Sequence, residues 1–207
     1  MSLIVKQESE GFDFQICPQG NHIAVCYSLI DLGVQEVNFN GETSYKRKVR
    51  VSWELPNEII SEGDYAGQPF SISKNYTLSL NSKSILFKDL VSWRGRQFTD
   101  QELAGFDLVN IIGAPCMVNV IHNQSQDGQK TYANVASISQ LPKGMAIPNL
   151  VNPKQKFNTE DFTQEQFAAL PEWLQSKINI PSKDAAPQQS ASAPPPAMDS
   201  FDDDIPF

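Results

Sequence analysis

Runs of apolar residues, some alternating and some at helical spacing, divide the first 140 positions into strands and helices. His22 to Leu32 is rich in β-formers and free of proline, which predicts a long first strand that Gly33 ends or bends. Polar residues from Glu36 to Tyr45 predict a loop turning at Asn40-Gly41 and carrying two aromatics, Phe39 and Tyr45. Alternation is clearest from Lys46 to Leu55. Arg47, Val49, Val51, Trp53 and Leu55 fall on one face, and Lys46, Lys48, Arg50, Ser52 and Glu54 on the other. The first face suits a core; the second is a basic row. Pro56 is expected to stop this strand, with an acidic loop from Glu58 to Gly67 and a third strand region from Gln68 to Leu80. Asn81 or Ser82 is the expected cap of a helix running to about Trp93, with Ile85, Leu86, Leu90 and Val91 as its apolar stripe. Gly95 breaks it. Thr99 caps a shorter helix, with Asp100 and Glu102 in its first turn. Cys116 to His122 and Thr131 to Ser139 read as the fourth and fifth strands, joined by a hairpin at Asp127-Gly128. Leu3 to Val5 reads as a short edge strand ahead of them all.

A helix between the third and fourth of five strands is the topology of the OB-fold, a Greek-key barrel that binds oligonucleotides across its strand face. The expected fold is therefore mainly β: a five-stranded OB-fold barrel with inserted helices, spanning about 21–140. From Gln140 the chain is punctuated by Pro142, Pro148 and Pro153, which predicts an extended arm over 141–180 packed on the barrel. Within it, Phe167, Leu170 and Leu174 form a helical stripe with Trp173 beside it. Thr163 caps that helix and Pro171 kinks or splits it. Asp184 to Ala197 is Ala, Pro, Gln and Ser without an aromatic, so it cannot bury enough apolar area to offset its ordering entropy. The domains are thus a body (1–180), a flexible linker (181–197) and an acidic tip (198–207).

The formal net charge is −8. From Pro181 onward one Lys faces five Asp, so the tail holds −4 and the body the remaining −4. Three widely spaced Cys (17, 26 and 116) and no CxxC pair predict reduced thiols in a cytoplasm. Cys17, His22 and Cys26 lie close in sequence, but their spacing fits no standard zinc pattern, and neither a metal nor another cofactor is expected. No apolar stretch approaches a membrane span, and the N-terminal apolar run is short for a signal peptide. A phosphate loop of the GxxxxGK[ST] type and a G-x-S-x-G elbow are both missing. Two His in total make a His-centred catalytic site hard to build, so an enzyme is not expected.

The tip reads M-D-S-F-D-D-D-I-P-F. Ile205 and Phe207 have no core to join, and Pro206 restricts their conformations. The physical reading is a docking peptide, with Phe207 in another protein's apolar pocket and Asp202, Asp203 and Asp204 against Lys or Arg. This ending resembles the acidic tip of bacterial and bacteriophage single-stranded DNA-binding proteins. The body is similar to the bacteriophage OB-fold members in K-V-R-V-S-W-E-L, S-W-R-G-R-Q-F and I-I-G-A-P-C-M-V-N-V. The resemblance implies a protein that coats and protects single-stranded DNA in the cytoplasm of a bacterial host. It also implies that Asp202 to Phe207 recruit host or phage replication, recombination and repair proteins. The body is longer than the usual bacterial form, which leaves the oligomeric state open, a homo-oligomer included.

Binding single strands requires cations along the phosphate path and aromatic faces for bases. The window from Lys46 to Arg96 holds nine cations and five acids, a local excess of +4. From it Lys46, Lys48, Arg50, Lys74, Arg94 and Arg96 are the expected phosphate contacts, gathered on one side of the body. Phe39, Tyr45, Tyr76, Trp93 and Tyr132 are the candidate base platforms, while Trp53 and Tyr27 are assigned to the core. The acidic total favours one alternative: an interaction protein that imitates the tip to divert host factors and binds no DNA.

Overall fold

Two long strands, β1 (Gly20–Phe39) and β2 (Glu42–Ile59), form one antiparallel hairpin in the computed structural model, which describes residues 15–147 and 149–180. The expected strand at Leu3 to Val5, the linker and the tip lie outside the described residues. Asn40 and Gly41 both take positive φ, 48° and 84°, the backbone of a tight two-residue turn whose twist matches its strands. The segment expected to be a polar loop is therefore a two-stranded ribbon, with Glu36 opposite Tyr45 and Gln35 opposite Lys46. Pro56 does not stop β2; the pairing slips between Leu55 and Ile59 and continues.

β3 (Pro69–Thr77) pairs with the root of β2, and β4 (Pro115–Gln124) with the first six residues of β1. β5 (Thr131–Ser139) pairs with β4, so the ladder order is β3-β2-β1-β4-β5, antiparallel throughout. No ladder joins β3 to β5 among the described residues, so the sheet is open, although these two end strands lie against each other. Between β3 and β4 come α1 (Ile85–Arg94), α2 (Asp100–Ala104) and a single 3-10 turn. The cap of α1 is Ser84 rather than Asn81 or Ser82; its Oγ accepts from the Phe87 amide at 3.1 Å. Gly95 ends the helix in the left-handed conformation, and Thr99 with Glu102 forms a reciprocal cap on α2.

One face of the sheet carries the main core. Val49, Val51, Trp53 and Leu55 of β2 meet Leu86, Leu90 and Trp93 of α1, and the Trp53 and Trp93 ring centroids stand 5.8 Å apart. The opposite face of β1 carries a second, smaller core: Ile30 and Leu32 against Phe157, Leu170 and Leu174 of the arm. The arm takes over the edge of β1 that β4 leaves after Val25. There β6 (Gln155–Phe157) pairs in parallel with Ser28 to Ile30, and the Asn179 amide donates to the Leu32 carbonyl at 2.9 Å. Pro171 splits the arm's helical part into α3 (Gln164–Ala168) and α4 (Glu172–Gln175), as expected. Glu54, on the face of β2 away from the main core, is fully buried. It accepts hydrogen bonds from the Val151 amide (2.8 Å), the Asn152 amide (2.7 Å) and Asn152 Nδ2 (2.6 Å).

Candidate nucleic-acid interface

The β2 register sorts its cations by face. Lys46, Lys48 and Arg50 lie opposite Gln35, Gly33 and Ile30, on the side away from the main core. Phe39 belongs to the same face of the ribbon, two pairs beyond Val37, and is 43% exposed. Lys46 and Lys48 form no ion pair among the described residues. Arg50 donates to Asn75 Oδ1 of β3 at 3.4 Å, and its guanidinium stands 5.1 Å from the centroid of Trp173. Burial lowers the Arg50 pKa, but a guanidinium stays charged at any physiological pH. Lys177 Nζ lies 5.3 Å from the same indole. Lys48 and Asn75 line a groove of about 670 Å³ whose other wall is Ser176 to Asn179 of the arm. Three cations without an ion pair among the described residues, a half-exposed indole and an exposed phenyl ring thus share one face.

The other expected contacts are elsewhere. Lys74 and Tyr76 lie opposite Val51 and Val49, which turns both toward the core rather than onto the basic row. Lys74 is paired with Asp89 of α1 at 2.9 Å, and the buried Tyr76 hydroxyl donates to the same carboxylate at 2.8 Å. Burial, then the Asp89 charge, drives the Tyr76 pKa upward. Neither residue is a platform or a phosphate contact in this arrangement. Trp93 is buried and its indole N–H donates to the Pro115 carbonyl at 2.8 Å, so it is core as well.

Arg94 and Arg96 belong to the helical layer on the main-core side, not to the face of Lys46, Lys48 and Arg50. Both grip Glu102, Arg96 at 2.7 Å, while the Arg94 guanidinium stacks 4.2 Å from the Phe98 centroid. The hydrogen bond from Arg96, with that from the Thr99 amide, holds the Glu102 carboxyl down at about 2. The six cations expected on one side are therefore split, with Lys46, Lys48 and Arg50 on one face and Lys74, Arg94 and Arg96 on the other. Tyr45 is 69% exposed but points to the opposite face of the ribbon from Phe39, beside Glu36 and Arg47. Tyr132, 51% exposed, pairs with Asn123 beyond the N-terminal end of β1, far along the ladder from the ribbon tip.

Sequence reasoning missed Trp173, Lys177 and Asn75. A signal was present: Trp173 flanks the buried Leu174 off the apolar stripe, and Lys177 follows four positions later, one helical turn on. Asn75 sits opposite Arg50, a pairing that only the register reveals. No family model and no curated protein sequence matches the chain. Among the described residues no helix is long and apolar enough to cross a membrane.

Proposed function

We propose that this protein binds single-stranded DNA along the outer face of β2, coats it largely without sequence preference, and recruits partner proteins through its acidic tip. The observation that carries the reading is the alignment of Lys46, Lys48 and Arg50 on one face, with no acidic partner among the described residues, in a chain of net charge −8. In so acidic a protein, an unneutralised basic row is an electrostatic feature that a polyanion would use. We infer an OB-fold for the body. Its support is the ladder β3-β2-β1-β4-β5, the helix between β3 and β4, and the approach of β3 to β5. The basic row then occupies the strand face where such folds hold oligonucleotides.

Titration with oligo-dT tests the reading. The full chain binds it in a salt-dependent manner and prefers it to a matched duplex. The double variant Lys46→Glu/Lys48→Glu, at an exposed and a half-buried groove-lining position, weakens binding by at least about tenfold, with melting temperature unchanged. Deleting 198–207 removes the tip aspartates as competitors for the groove, so binding tightens at low salt while capture of tip-binding replication proteins is lost. Capture by the truncated chain would refute the role assigned to the tip. A second reading, a decoy that carries the tip and binds no DNA, is favoured by the net charge and by the pairing of Lys74 with Asp89 and of Arg94 and Arg96 with Glu102. It predicts no oligo-dT binding at any salt concentration.

A further inference from the structure

The arm does more than seal the edge of β1. Its second short helix is anchored by Leu170 and Leu174, both buried against Ile30 and Leu32. Trp173 is directed away from that anchor and leaves 49% of its surface to solvent. A half-exposed indole between two cations is an uneconomical way to stabilise a fold, because its apolar area gains little from burial. It is a productive way to hold a nucleobase. Its face offers stacking. Arg50 at 5.1 Å and Lys177 at 5.3 Å now stand over its ring; a base stacks there by displacing the flexible Lys177 side chain, whose ammonium is then free to meet the adjoining phosphate. The groove lined by Lys48, Asn75 and Lys177 adjoins this cluster, so a strand leaving the indole would meet Lys48 next and then Lys46 on the ribbon.

We propose that the arm forms one wall of the nucleic-acid site, and that Trp173 is a stacking platform for one base of a single strand. The proposal rests on the single-strand reading above and adds a base subsite to it. Stacking on an indole tolerates any base, since each presents a π-face, so the subsite contributes affinity rather than sequence choice.

Intrinsic fluorescence reads the proposal directly. The chain has three Trp; Trp53 is 0% and Trp93 6% exposed, which leaves Trp173 as the one a ligand can reach. Titrating the full chain with oligo-dT quenches its emission, and the quench is lost in Trp173→Phe. Trp173→Ala weakens binding by roughly 5- to 150-fold, the span reported by stacking losses, whereas Trp173→Phe retains most of the affinity. Lys177→Glu, at an exposed position that leaves the anchor intact, weakens binding and flattens its salt dependence by roughly one phosphate contact. Thermal melting of each variant guards against a lost arm: a merely structural Trp173 lowers the melting temperature without a quench in the parent chain. If oligo-dT binds and Lys46→Glu/Lys48→Glu abolishes binding, yet no quench occurs and Trp173→Ala binds normally, the base subsite is wrong and the groove stands. If oligo-dT fails to bind at any salt concentration, both are wrong.

Discussion

Asp31 lies buried between β1 and the arm, and accepts from Arg47 (2.7 Å), the Thr159 amide (3.1 Å), Thr159 Oγ1 (2.5 Å) and the Gly33 amide (3.0 Å). Burial alone would raise its pKa, but the hydrogen bonds from Arg47, Thr159 and Gly33 outweigh it and hold the carboxyl below its usual range. A depressed folded-state pKa contributes stability that is fully present above the unfolded value, about 4, and is lost as pH falls through the folded one. Denaturant unfolding at a series of pH values should therefore show a decline below about pH 4 that Asp31→Asn makes shallower. Arg47→Ala should cost about 1–3 kcal/mol at neutral pH, because it strips a buried carboxylate of its cation. The thiols give a second check. Cys17, Cys26 and Cys116 are free and buried, and burial pushes Cys17 up to about 11 and Cys26 up to about 12. A thiol reagent at neutral pH should label them slowly in the native protein and quickly in denaturant; rapid native labelling would show that the main core opens readily. At this scale the sequence disclosed which residues of β2 share a face, because Val49, Val51, Trp53 and Leu55 mark the core side unmistakably. It could not disclose the orientation of β3. Lys74 and Tyr76 are polar enough to pass for a surface pair, and only Asp89 on α1 makes their inward position affordable.

The arm depends on one backbone position. Gly33 has φ 71°, and a Cβ there would stand 2.0 Å from the Asn179 carbonyl oxygen, the residue whose amide closes onto Leu32. Gly33→Ala therefore meets both a left-handed conformation, at about 1–2 kcal/mol for a residue with a side chain, and a main-chain collision that a rotamer change does not relieve. The expected outcome is a lowered melting temperature and faster proteolysis at 177–180, with oligo-dT affinity reduced as the groove wall lifts. Melting and affinity both unchanged would mean that the arm's end does not lean on β1. Elements with one buried face were legible. The five strands, the capped helix at Thr99 and the split at Pro171 all follow from pattern or from capping chemistry. The ribbon was not, since residues 34–46 bury neither face and so show no alternation. Nor was β6, a three-residue strand whose partner lies more than a hundred positions away and whose formation reflects the vacant edge of β1.

For the molecule as a whole, the net charge and the groove charge have opposite signs, and salt dependence separates them. Lys46, Lys48, Arg50 and Lys177 line one face and form no ion pairs among the described residues, so a strand laid across them displaces counterions from about four phosphates. For single strands this predicts that log K falls with log salt at a slope of roughly −3. Lys74 adds nothing to that slope, because Asp89 neutralises it, and Arg94 and Arg96 share the single Glu102 carboxylate in the helical layer, away from this face. Full engagement of the six cations first nominated would give roughly −4. Lys48→Glu should then reduce the slope by about one contact, while Lys88→Glu, the same charge change on the exposed side of α1, should leave it unchanged. If both variants shifted the slope equally, the strand would be sensing the protein's overall charge rather than a groove. The outer face of β2 would then lose its claim to the site, even if oligo-dT still bound.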